Sequence, residues 1–252
     1  MSRHFKVFDT HAEYEAFINE GISVWPNISI CKDRYDAHFN DNGSITPTGE
    51  THEYVEIAGI KWATMNLGAT AVTDYGLYYQ WGDVEGYTQD QIGDEEGEKY
   101  FDWQNYKFSI GESSEAGAFT KYNDTDNLKT LELVDDAVNV EWGGNWRIPT
   151  NSEWEALLES TTNAWTNNYQ GSNVAGITLT DNEDTSKVLF LPAAGYAENS
   201  QVIEFNNGGC YWTSDIAYVS NDVFHIEFNE HYLGDYSRVR YYGYTLRGVL
   251  DE

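Results

Sequence analysis

Helical spacing and strand-like alternation alternate along the chain and mark out its elements. Thr10 and Glu13 form a T-x-x-E capping box, Tyr14, Phe17 and Ile18 recur at i, i+3, i+4, and Gly21 offers a stop, so a short helix is predicted there. An irregular stretch from Pro26 to Asn42-Gly43 follows, and the polar residues Ser44 to Glu50 read as a linker. A boundary near residue 50 is therefore expected, with a leader or docking segment over 1–50 and the main domain over 51–252. From Tyr54 the period becomes two: Val55 and Ile57 flank Glu56, a turn falls near Gly59, and Lys61-Trp62-Ala63 resumes, which predicts a hairpin. Gly76 to Trp81 is aromatic and strand-like, whereas residues 83–102 are acidic and glycine-rich, as in a solvated loop.

Val134, Ala137 and Val138 have helical spacing that Gly143-Gly144 would end. A second capping box runs from Thr150 to Glu153, and Trp154, Leu157 and Leu158 behind it make one apolar face of a helix to about Ser160. The remainder is β-rich. Val188 to Leu191 is a continuous apolar run, consistent with a buried strand. Phe224, Ile226 and Phe228 alternate strictly with His225, Glu227 and Asn229, which predicts a half-buried strand, and Arg238 to Val249 reads as a further strand region broken at Gly243. The expected class is α+β, with few short helices, antiparallel strands and long loops.

Charge narrows the function. The 42 acidic and 14 basic residues of 252 leave a net charge of −28, and no Lys/Arg stripe interrupts it. Nucleic acid and anionic membrane surfaces require the opposite sign, so neither is an expected partner. No apolar run of about 18 residues occurs, so no membrane insertion is expected, and the first residues lack a signal peptide's apolar stretch. Synthesis in the cytoplasm, with export only inside a larger particle, is the expectation. The two cysteines, Cys31 and Cys210, cannot build a disulfide scaffold, so packing must hold the fold.

Catalytic patterns are scarce. The six histidines show no H-E-x-x-H spacing, and no C-x-x-C, G-x-S-x-G, Walker A or G-x-G-x-x-G motif occurs, so neither a catalytic group nor a cofactor is expected. Cys210 reads as an inert thiol. His225 and Glu227 share one strand face, a spacing that suits a metal ligand pair and equally an ordinary surface strand. Asp135-Asp136, with Asp124, Asp126 and Glu132 upstream, offers oxygen ligands for calcium or, alternatively, the acids that satisfy a helix N-terminus.

The 39 aromatic residues, 19 of them tyrosine, exceed what a core alone needs, and residues 215–244 combine Tyr, Ser, Asn, Asp, His and Gly with no Lys, Gln, Trp or Met. Such residues build adaptable polar contacts around rigid aromatic anchors, although a β-rich terminus with polar loops would also carry them.

Several motifs in order extend this reading. Asn145-Trp146-Arg147-Ile148-Pro149-Thr150 with Glu153-Trp154 resembles the R-[LI]-P-T-x-x-E-W segment of the formylglycine-generating-enzyme-like variant of the C-type lectin fold. Lys61-Trp62-Ala63-Thr64, Asn66-Leu67-Gly68-Ala69, Tyr79-Gln80-Trp81-Gly82, Leu191-Pro192-Ala193-Ala194-Gly195-Tyr196, Gly209-Cys210-Tyr211-Trp212-Thr213-Ser214 and Arg240-Tyr241-Tyr242-Gly243-Tyr244-Thr245-Leu246-Arg247 make residues 54–250 similar to the major-paralogous domain of gut bacteria. The resemblance implies a C-type-lectin-like fold. The enzymatic branch has a cysteine pair where this chain has only Cys210, the oxygenase branch a histidine cluster, and the sugar-binding lectins E-P-N or Q-P-D with calcium; none is present.

The branch that fits is the variable protein of diversity-generating retroelements, which displays a changeable C-terminal patch. Adenine replacement turns Asn codons into Tyr, Ser, Asp, His or Gly, the profile of residues 215–244. What this resemblance implies is a non-catalytic adhesin of a phage or prophage that binds a host cell-surface protein or glycan. Its expected contacts are Asp215, Tyr218, Ser220, Asn221, His225, Asn229, His231, Tyr232, Asp235, Tyr236 and Tyr241, whereas Phe224, Ile226, Phe228, Arg240, Tyr242, Gly243, Tyr244 and Arg247 are expected as framework. Phe5-Lys6-Val7-Phe8, Trp25-Pro26-Asn27-Ile28 and His38-Phe39-Asn40 resemble a leader on phage virion proteins, implying other virion proteins as partners. A formylglycine-generating-type enzyme and a purely structural virion protein are the competing expectations.

Overall fold

In the computed structural model the described residues are 52–110, 119–218 and 221–252, together with the backbone of 37–39 and 45–47. Contacts divide the chain into two units, Met1–Glu50 and Thr51–Glu252. In the first, β1 (Ala37–Phe39) pairs antiparallel with β2 (Ile45–Pro47), so part of the polar stretch read as linker is a strand. The helix expected around Thr10 to Gly21 lies outside the described residues.

The second unit is built mostly of antiparallel sheets with few short helices. β3 (Tyr54–Ile57) and β4 (Ile60–Asn66) form the expected hairpin, with Ile57 paired to Ile60 across a two-residue turn. Both turn residues, Ala58 and Gly59, have positive φ, the backbone that matches the twist of the flanking strands. Two more strands complete this sheet in the order β3-β4-β14-β5, where β5 is Trp146–Arg147 and β14 is Arg247–Leu250. A second sheet takes β6 (Thr161–Thr166), β7 (Gly176–Asp181) and β8 (Val188–Pro192) in chain order. β9 (Tyr196–Glu198) and β10 (Gln201–Ile203) make a small hairpin. The last sheet is β11 (Gly208–Ile216), β12 (Asp222–Asn229) and β13 (Leu233–Val239).

Both expected helices in this unit form. Helix α1 (Ala137–Trp142) is capped by Asp136 and ends at Gly143, whose φ of 67° favours glycine. Helix α2 (Asn151–Glu159) carries the complete Thr150–Glu153 capping box and buries Trp154 and Leu157. Trp154 meets Trp62 with ring centroids 4.7 Å apart, in a core shared with Leu179, Leu191, Tyr211, Ile226 and Phe228. A second core gathers Trp81, Tyr122, Trp146, Trp212, Tyr244 and Leu246.

The acidic group considered for calcium has other partners. Lys107 Nζ lies 2.7 Å from Asp135, and Lys121 and the Tyr122 hydroxyl bind the same carboxylate. Asp136 accepts from the Asn139 and Ile148 amides, and Asp126 from those of Tyr122, Asn123 and Leu128. A calcium ion at Asp135 would sit beside two ammonium groups, so of the two alternatives the geometry supports the second: Asp136 caps a helix and Asp135 serves the fold. Burial pushes the Asp135 carboxyl up, but the hydrogen bonds from Lys107, Lys121 and Tyr122 outweigh it and hold the group below its ordinary range.

A depressed carboxyl contributes stability above the unfolded value, near pH 4, and loses it as pH falls through the folded value. Asp135→Asn should therefore cost about 1–3 kcal/mol at neutral pH. The gap from wild type should close as the solution is acidified, which thermal unfolding across pH would show. A gap independent of pH would assign the loss to shape rather than charge.

Candidate functional site

Register sorts the last sheet into two faces. Trp212 opposes His225, which opposes Tyr236, and Cys210 opposes Glu227, which opposes Gly234. Directly opposed residues point the same way, so these six share one face with Val223 and Arg238. Tyr211, Ile226 and Phe228 occupy the other face and are buried in the core beneath α2. The alternation read from the sequence is therefore correct for β12, but its polar face is also covered at one end. Trp212 and Tyr244 pack on His225, which is 0% exposed.

Aromatic rings continue from this covered end across the surface. Tyr232 meets Tyr236 at 6.1 Å, Tyr236 meets His225 at 6.1 Å, and His225 meets Tyr244 at 4.9 Å. Tyr244 adjoins Tyr242, which stacks on Tyr241 at 4.9 Å, and Tyr241 abuts Trp103 at 5.0 Å. Tyr196 closes the group against Tyr242 and Tyr244. Glu198 accepts from the Tyr242 hydroxyl at 2.8 Å, and Glu227 accepts from that of Tyr232. The Tyr232 and Tyr242 hydroxyls are thus fixed, while Tyr232 and Tyr236 remain 36% and 46% exposed.

Burial of His225 pushes its imidazole below the ordinary range; the hydrogen bond from that ring, together with that from Tyr232, holds the Glu227 carboxyl low despite its partial burial. Near neutral pH the pair is an uncharged imidazole 3.3 Å from a carboxylate. Burial also pushes the Cys210 thiol well up, which leaves it a poor nucleophile.

The structure separates the eleven expected contact residues. Tyr218 is 92% exposed at the end of β11, with its ring edge on Phe224. His231, Tyr232, Asp235 and Tyr236 are exposed on β13 and the turn before it, and Tyr241 is half-buried in the ring group. Asn229 instead builds that turn, its side chain accepting from the His231 and Tyr232 amides. Asn221 is half-buried, and its carbonyl accepts from the Arg240 amide. Two expectations are corrected. His225 lies beneath the surface rather than on it, because Trp212 and Tyr244 cover that end of the sheet. Asp215 is committed to the fold, with one carboxylate oxygen on the Thr130 hydroxyl at 2.7 Å and the other on the first amide of α2 at 2.9 Å. Ser220 lies outside the described residues.

Of the expected framework positions Ile226, Phe228, Arg240, Gly243, Tyr244 and Arg247 are buried, whereas Phe224 and Tyr242 are half-buried and Tyr242 belongs to the ring group. Trp103, Tyr196, Glu198 and Glu227 join the site without having been read as part of it. Trp103 and Tyr241 are separated by more than a hundred residues, and no local pattern announces such a contact.

A cleft of about 500 Å³ lies elsewhere, lined among others by Asp74, Tyr75, Tyr78 and Phe205. One oxygen of the Asp74 carboxylate accepts from the Thr70 amide and hydroxyl and the Ala71 amide of its own turn. Among the described residues no helix is long and apolar enough to cross a membrane. Comparison of the chain with protein-family models, with curated proteins and with solved structures finds no match.

Proposed function

We propose that this chain is a non-catalytic ligand-binding module of C-type-lectin-like fold that acts as an adhesin of a phage or prophage. In this reading it binds a host cell-surface protein or glycan through the tyrosine face of β12 and β13, and the segment before residue 50 docks to other virion proteins. One observation carries the reading. Tyr54, Tyr218, Tyr232 and Tyr236 are the exposed tyrosines among the described residues, and two of these four, Tyr232 and Tyr236, meet ring to ring on that face. Exposed rings of limited rotameric freedom, with the exposed His231 in the turn before β13, are the composition of an adaptable binding surface. The inert environment of Cys210 favours binding over turnover, and the acidic charge disfavours nucleic acid.

Binding to a glycan array and to whole bacterial cells tests the proposal. Tyr236→Ala should weaken whatever binding is found by about 1–2 kcal/mol while the melting temperature stays within a few degrees of wild type. Unfolding of this variant would make the ring a core group, and unchanged binding would place the ligand elsewhere. Sequencing codons 206–241 across a growing population tests the diversification half of the reading. Substitutions confined to adenines would support it, and a uniform sequence would leave a binder of fixed specificity.

A further inference from the structure

Cys210 and Glu227 are opposed across the β11–β12 ladder, and His225 sits two residues from Glu227 on the same strand. Residues i and i+2 of a strand share a face, as do opposed residues of neighbouring strands. A thiol, an imidazole and a carboxylate therefore converge, and one ligand atom from each lies within 4.8 Å of the other two. We propose that Cys210, His225 and Glu227 form a zinc site beneath the tyrosine face.

Donor chemistry selects the metal. A thiolate with an imidazole suits Zn²⁺, whereas Ca²⁺ and Mg²⁺ require oxygen ligands throughout. Tetrahedral zinc places its donors about 3.3–3.6 Å apart; His225 and Glu227 already stand at 3.3 Å, so the distances to the Cys210 sulfur must close, by up to about 1.3 Å. Glu227, whose side chain keeps 21% of its exposure, can close its own distance to the sulfur by rotation, while the Cys210–His225 distance closes by a turn of the thiol. His225 packs beside the stacked Trp212–Tyr244 pair, and Cys210 is buried on the adjoining strand.

An outer contact points the same way. The Tyr232 hydroxyl donates to the Glu227 oxygen other than the one facing His225, the kind of hydrogen bond that orients a ligating carboxylate. On binding, the thiol gives up its proton to solvent and the imidazole coordinates through Nε2 with its own proton on Nδ1. Three protein ligands leave the fourth position to water or to an oxygen of a bound molecule. The site would link β11 to β12 beneath Tyr236, and it stands whether or not the tyrosine face binds the ligand proposed above.

The test uses the full chain, stripped with chelator and titrated with Co²⁺ or Zn²⁺ in excess Mg²⁺, so that the acidic surface cannot hold the added metal. One Co²⁺ per chain is expected, with a thiolate-to-cobalt charge-transfer band in the near ultraviolet. Cys210→Ser should abolish the band and Cys31→Ser should retain it. Glu227→Gln should weaken binding at least tenfold, and Tyr232→Phe about tenfold. Zinc should raise the melting temperature of wild type more than that of Glu227→Gln. Should Cys210→Ser fail to fold, the Glu227→Gln and Cys31→Ser comparisons still decide. No band in wild type, a band lost with Cys31, or equal affinity in Glu227→Gln would each overturn the site.

Discussion

Trp212→Ala should lower the unfolding free energy by about 3–5 kcal/mol, the range for deleting a fully buried indole. Trp212 is 0% exposed and stacks on Tyr244 with centroids 4.0 Å apart. Its Nε1–H donates to the Tyr79 carbonyl at 2.8 Å, which joins β11 to the segment before the acidic loop. Alanine would remove that bond, open a cavity between the sheet and Tyr244, and free the ring of His225. The tyrosine face should therefore loosen along with the core. Chemical denaturation of the variant should show a lower midpoint with an unchanged slope. A loss below about 1 kcal/mol would mean that neighbouring rings collapse into the space.

Arg247→Met is expected to cost a comparable amount, about 2–6 kcal/mol, for a different reason. This guanidinium is fully buried and donates to the Ala63 carbonyl of β4 at 2.8 Å and to the Phe190 carbonyl of β8 at 3.0 Å. The register of β14 against β4 shifts between Arg247 and Val249, opposite the stretch that contains Ala63. β8 is an edge strand, with β7 on one side only. Arg247 thus satisfies acceptors where two ladders stop and ties the two sheets together. Burial holds its pKa below the ordinary arginine value, yet the group remains charged, since its ordinary value lies far above neutrality.

Methionine would fill much of the volume but leave both carbonyls unpaired in the interior, at about 1–3 kcal/mol for each. Arg247→Lys should recover only part of the loss, because a single ammonium cannot span both acceptors as a planar fork does. Equal stability of the Met variant and wild type would show that water or a backbone shift satisfies those carbonyls. Thermal and denaturant unfolding of the two variants side by side distinguishes these outcomes.

Local chemistry was legible in the sequence because it is decided within a few residues. The Thr150–Glu153 box begins α2 since both partners sit in one turn, and Gly143 ends α1 since that backbone requires positive φ. Gly59 marks the turn of the first hairpin, and the alternation from Phe224 to Asn229 assigns Ile226 and Phe228 to the core. Predictions failed where the deciding neighbour is distant. Alternation put His225 on the polar face of β12 and could not say that Trp212 and Tyr244 cover it. Asp215 looked like one more polar residue of a binding loop until α2 brought an amide to its carboxylate. Asp135 and Asp136 left calcium and a helix N-terminus both open, because the lysines that neutralise Asp135 arrive from elsewhere in the chain.

The sequence by itself determined the helices at residues 137–142 and 151–159 with their caps, the hairpin at residues 54–66, the tyrosine-rich composition of the C-terminal stretch and the acidic balance. Tertiary structure alone decided which tyrosines face solvent, how Trp103 and Tyr196 complete their surface, and that Cys210 stands across from Glu227. The division has a physical origin. Caps, turns and periodicity depend on backbone geometry over one or two turns of chain, whereas exposure and side-chain convergence depend on which faces of distant elements bury each other.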